Sequence, residues 1–145
     1  MRILVSRVKH AKVEVGCQVT GSCENGLLVL SCFTEGDGKE EVEYLAKKCA
    51  NLRIFDDENG VMNYSILDAK GTILSISQFT LYANAQKGNR PSYIKALGGE
   101  EAKKLYEMFN EELSKYVHTE TGIFGADMQI TAKHDGPINI IIDSK

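Results

Sequence analysis

The chain has 145 residues, of which 43% are hydrophobic and 26% charged, with a formal net charge of −3. That length fits a single domain over residues 1–145 with enough chain to bury a core. No run approaches the ~18 apolar residues of a membrane span, and Met1-Arg2-Ile3-Leu4-Val5-Ser6-Arg7 turns polar too early for a signal peptide, so a cytoplasmic protein is expected. The acidic balance argues against gripping a long stretch of nucleic acid, so such a partner would be touched only at a small patch.

Taken in chain order, Arg2 to Val8 and Ala11 to Val15 read as two strands, the second alternating in the manner of a half-exposed edge. Gly26 to Phe33 is a continuous apolar run of strand length, which predicts a central strand. Asp37 with Glu40 three residues on predicts a capped helix start, and Val42, Leu45, Ala46 and Cys49 supply its apolar face. Leu52 to Phe55 reads as a short strand, and Asn59-Gly60 suits a hairpin.

Gly71 to Tyr82 reads as another strand, followed by a polar loop over 83–92 that carries Lys87, Gly88, Arg90 and Pro91. A second helix is predicted from about Gly99 to Tyr116, with Ala102, Leu105, Met108, Phe109 and Leu113 on one face. Glu100 and Glu101 at its start and Lys115 at its end suit the helix dipole. Met128 to Thr131 and Ile138 to Ile142 complete the elements as two strands around a Gly-Pro turn. The last is so apolar that it calls for cover on both faces, partly from a partner subunit. The sum is an α/β (α+β-like) fold: packed sheets in a barrel-like core, two main helices on one face, β/β/α layers.

Cys17, Cys23, Cys32 and Cys49 form no C-x-x-C pair, and with His10, His118 and His134 they give no zinc-ligand spacing, so neither metal nor cofactor is expected. Cys32 and Cys49 sit in apolar patterns and read as buried thiols; Cys17 and Cys23 flank a turn and read as exposed. No G-x-S-x-G, H-E-x-x-H, P-loop or G-x-G-x-x-G pattern occurs. An enzyme built on this chain would rely on backbone groups and positioning rather than on an activated side chain.

Two segments carry candidate chemistry. Ser77-Gln78-Phe79-Thr80-Leu81-Tyr82 sets hydroxyls and an amide beside a large aromatic, which could hold a polar ligand while Phe79 stacks on a ring. The same residues also make an ordinary sheet strand with Phe79 in the core. His134-Asp135-Gly136-Pro137 reads as a turn. It could equally present the carbonyls of Gly136 and Pro137 side by side, if the bond were cis, to receive an ammonium group beside a rigid backbone wall.

At these segments the chain resembles the D-aminoacyl-tRNA deacylase family, also called D-tyrosyl-tRNA deacylases. The resemblance runs end to end, through Met1-Arg2 to Arg7-Val8, Gly26-Leu27-Leu28-Val29-Leu30, Leu52-Arg53-Ile54-Phe55 and Gly60-Val61-Met62-Asn63. It continues through Ser77 to Tyr82, Lys87-Gly88-Asn89-Arg90-Pro91-Ser92, Thr121 to Met128 and Asp135-Gly136-Pro137. The resemblance implies hydrolysis of D-aminoacyl-tRNA with rejection of the L form, and it allows activity on glycine mischarged to a non-cognate tRNA. It implies that Ser77, Gln78, Phe79 and Thr80 form the catalytic segment, with Phe79 positioning the terminal adenine, and that Phe124 and Met128 belong to the substrate pocket. It also implies that Gly136-Pro137 is a cis-proline chirality filter entering the active site of the other subunit of a homodimer, that Arg7 braces that loop, and that no metal is needed. Lys87 and Arg90, with Lys133, are candidates for contact with the tRNA acceptor end.

The chain departs from the family pattern at three places. His134 replaces the usual Asn ahead of Gly136-Pro137, Asn139 replaces a Thr after it, and Ser6 stands where the family has Gln. A non-catalytic module that binds an RNA end, and a purely structural domain, are the competing readings.

Overall fold

The computed structural model describes residues 1–145. Its frame is a pair of long antiparallel strands, β1 (Arg2–Val15) and β2 (Gln18–Cys32), paired from Arg2↔Cys32 to Val15↔Gln18. After β2 come α1 (Lys39–Asn51), the ribbon β3 (Phe55–Asp56) and β4 (Met62–Tyr64), the one-turn α2 (Ile66–Ala69), and β5 (Ile73–Ser77). A 3-10 turn at Phe79–Tyr82, helix α3 (Gly99–Ser114), β6 (Thr119–Thr121) and β7 (Gln129–Asp143) complete the chain. The main sheet runs β6-β5-β2-β1-β7. β2–β5 and β5–β6 are parallel; β1–β2 and β1–β7 are antiparallel.

Strand alternation sorts the apolar side chains onto two faces. Ile3 and Val5 of β1, Leu27 and Val29 of β2 and Ile73 of β5 pack beneath α1 and α3, against Leu45, Ala46, Cys49, Leu105, Phe109 and Leu113. Each large side chain buried there contributes about 1.5–3 kcal/mol, so packing of the apolar faces, more than helix propensity, holds the two helices. Leu28, Leu74 and Ile76 point the other way. They are covered by Val8, Ala11, Val13 and Cys23, with Met128 and Ala132 alongside. The outer halves of β1, β2 and β7 therefore fold back over the sheet, giving the expected β/β/α layers. Gly21 shows how close this approach is: a Cβ there would lie 2.6 Å from the Thr121 carbonyl oxygen and 3.1 Å from Leu74 Cδ1. The sheet does not close into a barrel, and β6 and β7 remain as its edges.

Several expectations are corrected. The two strands expected over 2–8 and 11–15 are one strand, and β2 begins at Gln18, well before Gly26. The strand expected over 71–82 stops at Ser77. Gly136-Pro137 is not a turn between strands. It lies inside β7, joined by a cis peptide bond, where the register with β1 slips between Ser6 and Val8 and again between Val8 and His10. A proline is tolerated there because β7 is an edge strand and no second neighbour needs the missing N–H.

Helix α1 is capped one residue later than Asp37, by Gly38, whose N–H donates to Glu41 Oε2 at 2.8 Å. The Asp37 carboxylate is already engaged, by the Met1 ammonium at 2.6 Å and the Thr34 N–H at 2.7 Å. Cys23 is 2% exposed within the second core, contrary to the expected exposure; Cys17 is exposed, and Cys32 and Cys49 are buried. The hairpin at Asn59-Gly60 is present, with Asp57 Oδ1 accepting from the N–H groups of Asn59 and Val61. No helix is long and apolar enough to cross a membrane.

Candidate active site

The end of β5 delivers the first signature segment to an open cleft of about 450 Å3. Pairing with β2 continues one residue beyond Ser77, because the Gln78 N–H donates to the Ser31 carbonyl at 2.8 Å. The chain then tightens into the 3-10 turn, where Leu81 N–H reaches Gln78 O and Ala83 N–H reaches Thr80 O. The turn throws Phe79 outward, 52% exposed, against the edge of Tyr93, with ring centroids 5.1 Å apart. The Gln78 side-chain amide is fixed by donating to Thr80 Oγ1 at 2.6 Å.

The opposite wall comes from the segment ahead of α3 and from the loop ahead of β7. Leu97 is tied to the end of β2 by its N–H to the Phe33 carbonyl at 2.8 Å. Gly98 and Gly99 follow at the start of α3 and line the cleft with Ala102. On the other side Phe124 leans on the Tyr106 ring, with centroids 5.9 Å apart. Met128 packs over Gly122, where a Cβ would come within 2.5 Å of its sulfur and force the Met128 side chain to shift.

The lining contains no His, Asp, Glu, Lys or Arg. Its polar groups are Ser77, Gln78, Tyr93, the Cys32 thiol and backbone. Burial pushes the Cys32 thiol up to about 11. It is therefore protonated at neutral pH and unsuited to act as a nucleophile. No group of three or more His, Cys, Asp or Glu is placed to hold a metal.

Of the residues singled out from sequence, the cleft brings together Ser77, Gln78, Phe79, Phe124 and Met128. Thr80 stands just behind it, holding Gln78. Gly136, Pro137 and Arg7 lie apart from this cleft within the single chain, and Lys87 and Arg90 are exposed on the loop over 83–92. Arg7 is 7% exposed and gathers three elements. Its Nη1 donates to the Ile54 carbonyl at 2.7 Å and stands 3.4 Å from Asp56, and its Nε lies 3.2 Å from Asp135 Oδ2 as an ion pair. That Nε contact is too poorly aligned to count as a hydrogen bond, leaving Nε without one. Two departures from the family pattern meet: Ser6 and Asn139 are cross-strand partners, and Ser6 Oγ donates to Asn139 Oδ1 at 2.5 Å. His134 is an exposed strand residue opposite Val8.

Sequence reasoning missed Tyr93, Leu97, Gly98, Gly99 and Ala102. The Gly98-Gly99 pair ahead of an acidic helix start was a usable signal; nothing in the sequence singled out Tyr93.

The sequence pattern of the family described as D-Tyr-tRNA(Tyr) deacylase matches residues 4–143. The chain is 52% identical to the D-aminoacyl-tRNA deacylase of Clostridium tetani and 52% identical to that of Thermosipho africanus, covering 100% of this chain and 98% of each relative. Among solved structures it is similar to one described as c-Myc DNA Unwinding Element Binding Protein, at 36% identity and a TM-score of 0.94, over 100% of this chain and 99% of that one. A structure described as a probable eukaryotic D-amino acid tRNA deacylase shares the fold at 14% identity and a TM-score of 0.83, over 97% of each chain. By sequence over its whole length and by fold, the chain belongs to the D-aminoacyl-tRNA deacylase family.

Proposed function

We propose that this protein is an ester hydrolase that cleaves D-aminoacyl-tRNA to free D-amino acid and tRNA, and spares the L form. The observation that carries the reading is the cleft at Ser77–Phe79 in a chain of this family. It combines an exposed aromatic, a fixed amide and backbone groups with no His, Asp, Glu, Lys or Arg side chain.

The chemistry needs little more. Water adds to the acyl carbon, the carbon–oxygen bond to the ribose breaks, and the ribose oxygen departs with a proton. An ester to ribose is already reactive, so orientation and stabilisation of the developing oxyanion carry most of the task. One well-placed backbone donor is worth roughly 3–4 kcal/mol of barrier. Ser77, Gln78, Phe79 and Thr80 form the catalytic segment in this reading: Phe79 holds the terminal adenine, Thr80 fixes Gln78, and the scissile ester lies along the segment. Phe124 and Met128 form the far wall. The proton relay falls to the ribose hydroxyl of the substrate, which fits a lining without a base.

Chirality is read by Gly136-Pro137 from a second subunit. The β7 edge, with Gly136 and Pro137 away from their own cleft and Ile141 62% exposed, supports a homodimer whose active site lies at the subunit interface. Arg7 braces the filter through Asp135. Rejection by backbone leaves the side-chain pocket permissive, so many D-amino acids pass, and glycine on a non-cognate tRNA is a further substrate to test. Lys87 and Arg90 meet the acceptor end, in the cytoplasm where tRNA is charged. Incubation of D-aminoacyl-tRNA with excess enzyme should release free amino acid and intact tRNA; persistence of the ester would refute the reading.

A further inference from the structure

A second cleft, of about 280 Å3, lies beside the first. It is lined by Arg2, Tyr82, Asn84, Gln86 and Lys95 with two alanines. No residue lines both clefts, but the same two segments contribute to each. The 3-10 turn gives Phe79 to the first and Tyr82 to the second, and the segment after Ser92 gives Tyr93 and Ala96 to the first and Lys95 to the second.

The polar character of this second cleft differs from that of the first. Arg2 is held in place by Asp143, at 2.8 and 3.2 Å, and by the Leu81 carbonyl at 3.0 Å. Its guanidinium lies over the Tyr82 ring, 5.1 Å from the centroid. A guanidinium has five N–H donors, so these three bonds leave two unspent. Lys95 is exposed, and its backbone is anchored by Thr34 Oγ1 donating to its carbonyl at 2.6 Å. Arg2 and Lys95 against Asp143 leave one unit of positive charge, matched to a singly charged phosphodiester. Amide and hydroxyl groups of Asn84, Gln86 and Tyr82 add neutral donors.

We infer that this second cleft binds the phosphate on the 5′ side of the terminal adenosine, with Lys95 and Arg2 as its cationic groups. The inference rests on the placement of the adenine at Phe79 proposed above. It makes the substrate bipartite: the first cleft takes the nucleoside and its acyl group, and the second takes the phosphate that ties them to the rest of the RNA.

The test compares D-tyrosyl-adenosine with D-tyrosyl-adenosine 5′-monophosphate on the wild type and on Lys95→Ala and Gln86→Ala. On the wild type the 5′-phosphate should improve kcat/KM by about tenfold, through KM, as expected for a charge-assisted contact. In Lys95→Ala most of that advantage should disappear, and Lys95→Arg should restore it. Gln86→Ala, which removes only a neutral donor, should reduce the advantage less than Lys95→Ala does. A wild type indifferent to the phosphate, or a Lys95→Ala variant that keeps the full advantage, overturns the inference. If the wild type cleaves neither compound and leaves D-tyrosyl-tRNA intact as well, the hydrolase reading fails on its own. Equilibrium binding of adenosine 5′-monophosphate against adenosine then decides the subsite separately: equal affinities overturn it, and a preference lost in Lys95→Ala upholds it.

Discussion

Replacing Arg7 by alanine should be costly, because one side chain holds three separate pieces of the fold. The guanidinium is buried, donates to the Ile54 carbonyl at 2.7 Å, and lies within 3.4 Å of both Asp56 and Asp135. Loss of the buried charged hydrogen bond alone is worth about 1.5–3 kcal/mol. Asp56 is 52% exposed, so its pair with Arg7 adds only about 0–1 kcal/mol. The sum is about 1.5–4 kcal/mol, equivalent to a drop in Tm of roughly 3–15 °C for a chain of this size. Urea unfolding at one fixed protein concentration reads the change free of mass-action effects. The Arg7→Lys variant should recover only part of it, since an ammonium is a point charge without the fork that spans several acceptors. Because Asp135 precedes Gly136, Arg7→Ala should also raise the ratio of L- to D-substrate cleavage. A variant within about 0.5 kcal/mol of wild type, inside the range of an ordinary surface change, with unchanged stereoselectivity would show that Arg7 braces nothing.

Phe79→Ala should lower kcat/KM by at least about tenfold while costing under about 1 kcal/mol of stability, since the ring is half exposed; a large stability loss with activity intact would mean a core role. Gly136 has φ of +125° and a Cβ there would lie 2.8 Å from Ile138 Cγ1, so Gly136→Ala should cost about 1–3 kcal/mol and disable the filter segment, measured by unfolding and by D-substrate cleavage. Mixing Phe79→Ala with Gly136→Ala and allowing subunits to exchange should restore about a quarter of wild-type activity, from the one intact site in each mixed dimer; no recovery would place both segments in the same subunit's site. Burial pushes the Cys23 and Cys32 thiols up to about 11 and Cys49 to about 12, so the folded state keeps protons that the unfolded state loses above about pH 9. Stability should hold below that pH and fall above it by up to about 1.4 kcal/mol per pH unit for each thiol. Denaturation at pH 8 and pH 10 checks the sign, and a rise would refute it.

Much of the helical layer was legible in the sequence. The apolar face of α1 and the acidic start of α3 survive intact, because periodicity reports burial directly. The strands were less legible. Residues 18–25 carry Gly21, and several of their side chains lie on the surface, so they lack the apolar signal of 26–33 although they continue the same strand. The fold-back of β1 and β2 depends on contacts such as Gly21 against Thr121, which no local pattern announces.

Of the cleft, Ser77, Gln78, Phe79, Phe124 and Met128 were legible as residues, and its shape was not. Ser77 to Thr80 reads as strand by propensity. It leaves the sheet because the pairing with β2 ends at the Gln78 N–H, and that departure exposes Phe79. Tyr93 lines the cleft through tertiary placement alone. The departures at Ser6 and Asn139 look independent in sequence and prove to be hydrogen-bonded partners.

The most direct measurement is deacylation of matched D-tyrosyl-tRNA and L-tyrosyl-tRNA in the presence of a chelator. The D form should be cleaved and the L form should persist. Cleavage of neither would make the chain a module that binds the tRNA end without turnover, and cleavage of both would contradict the role given to Gly136-Pro137.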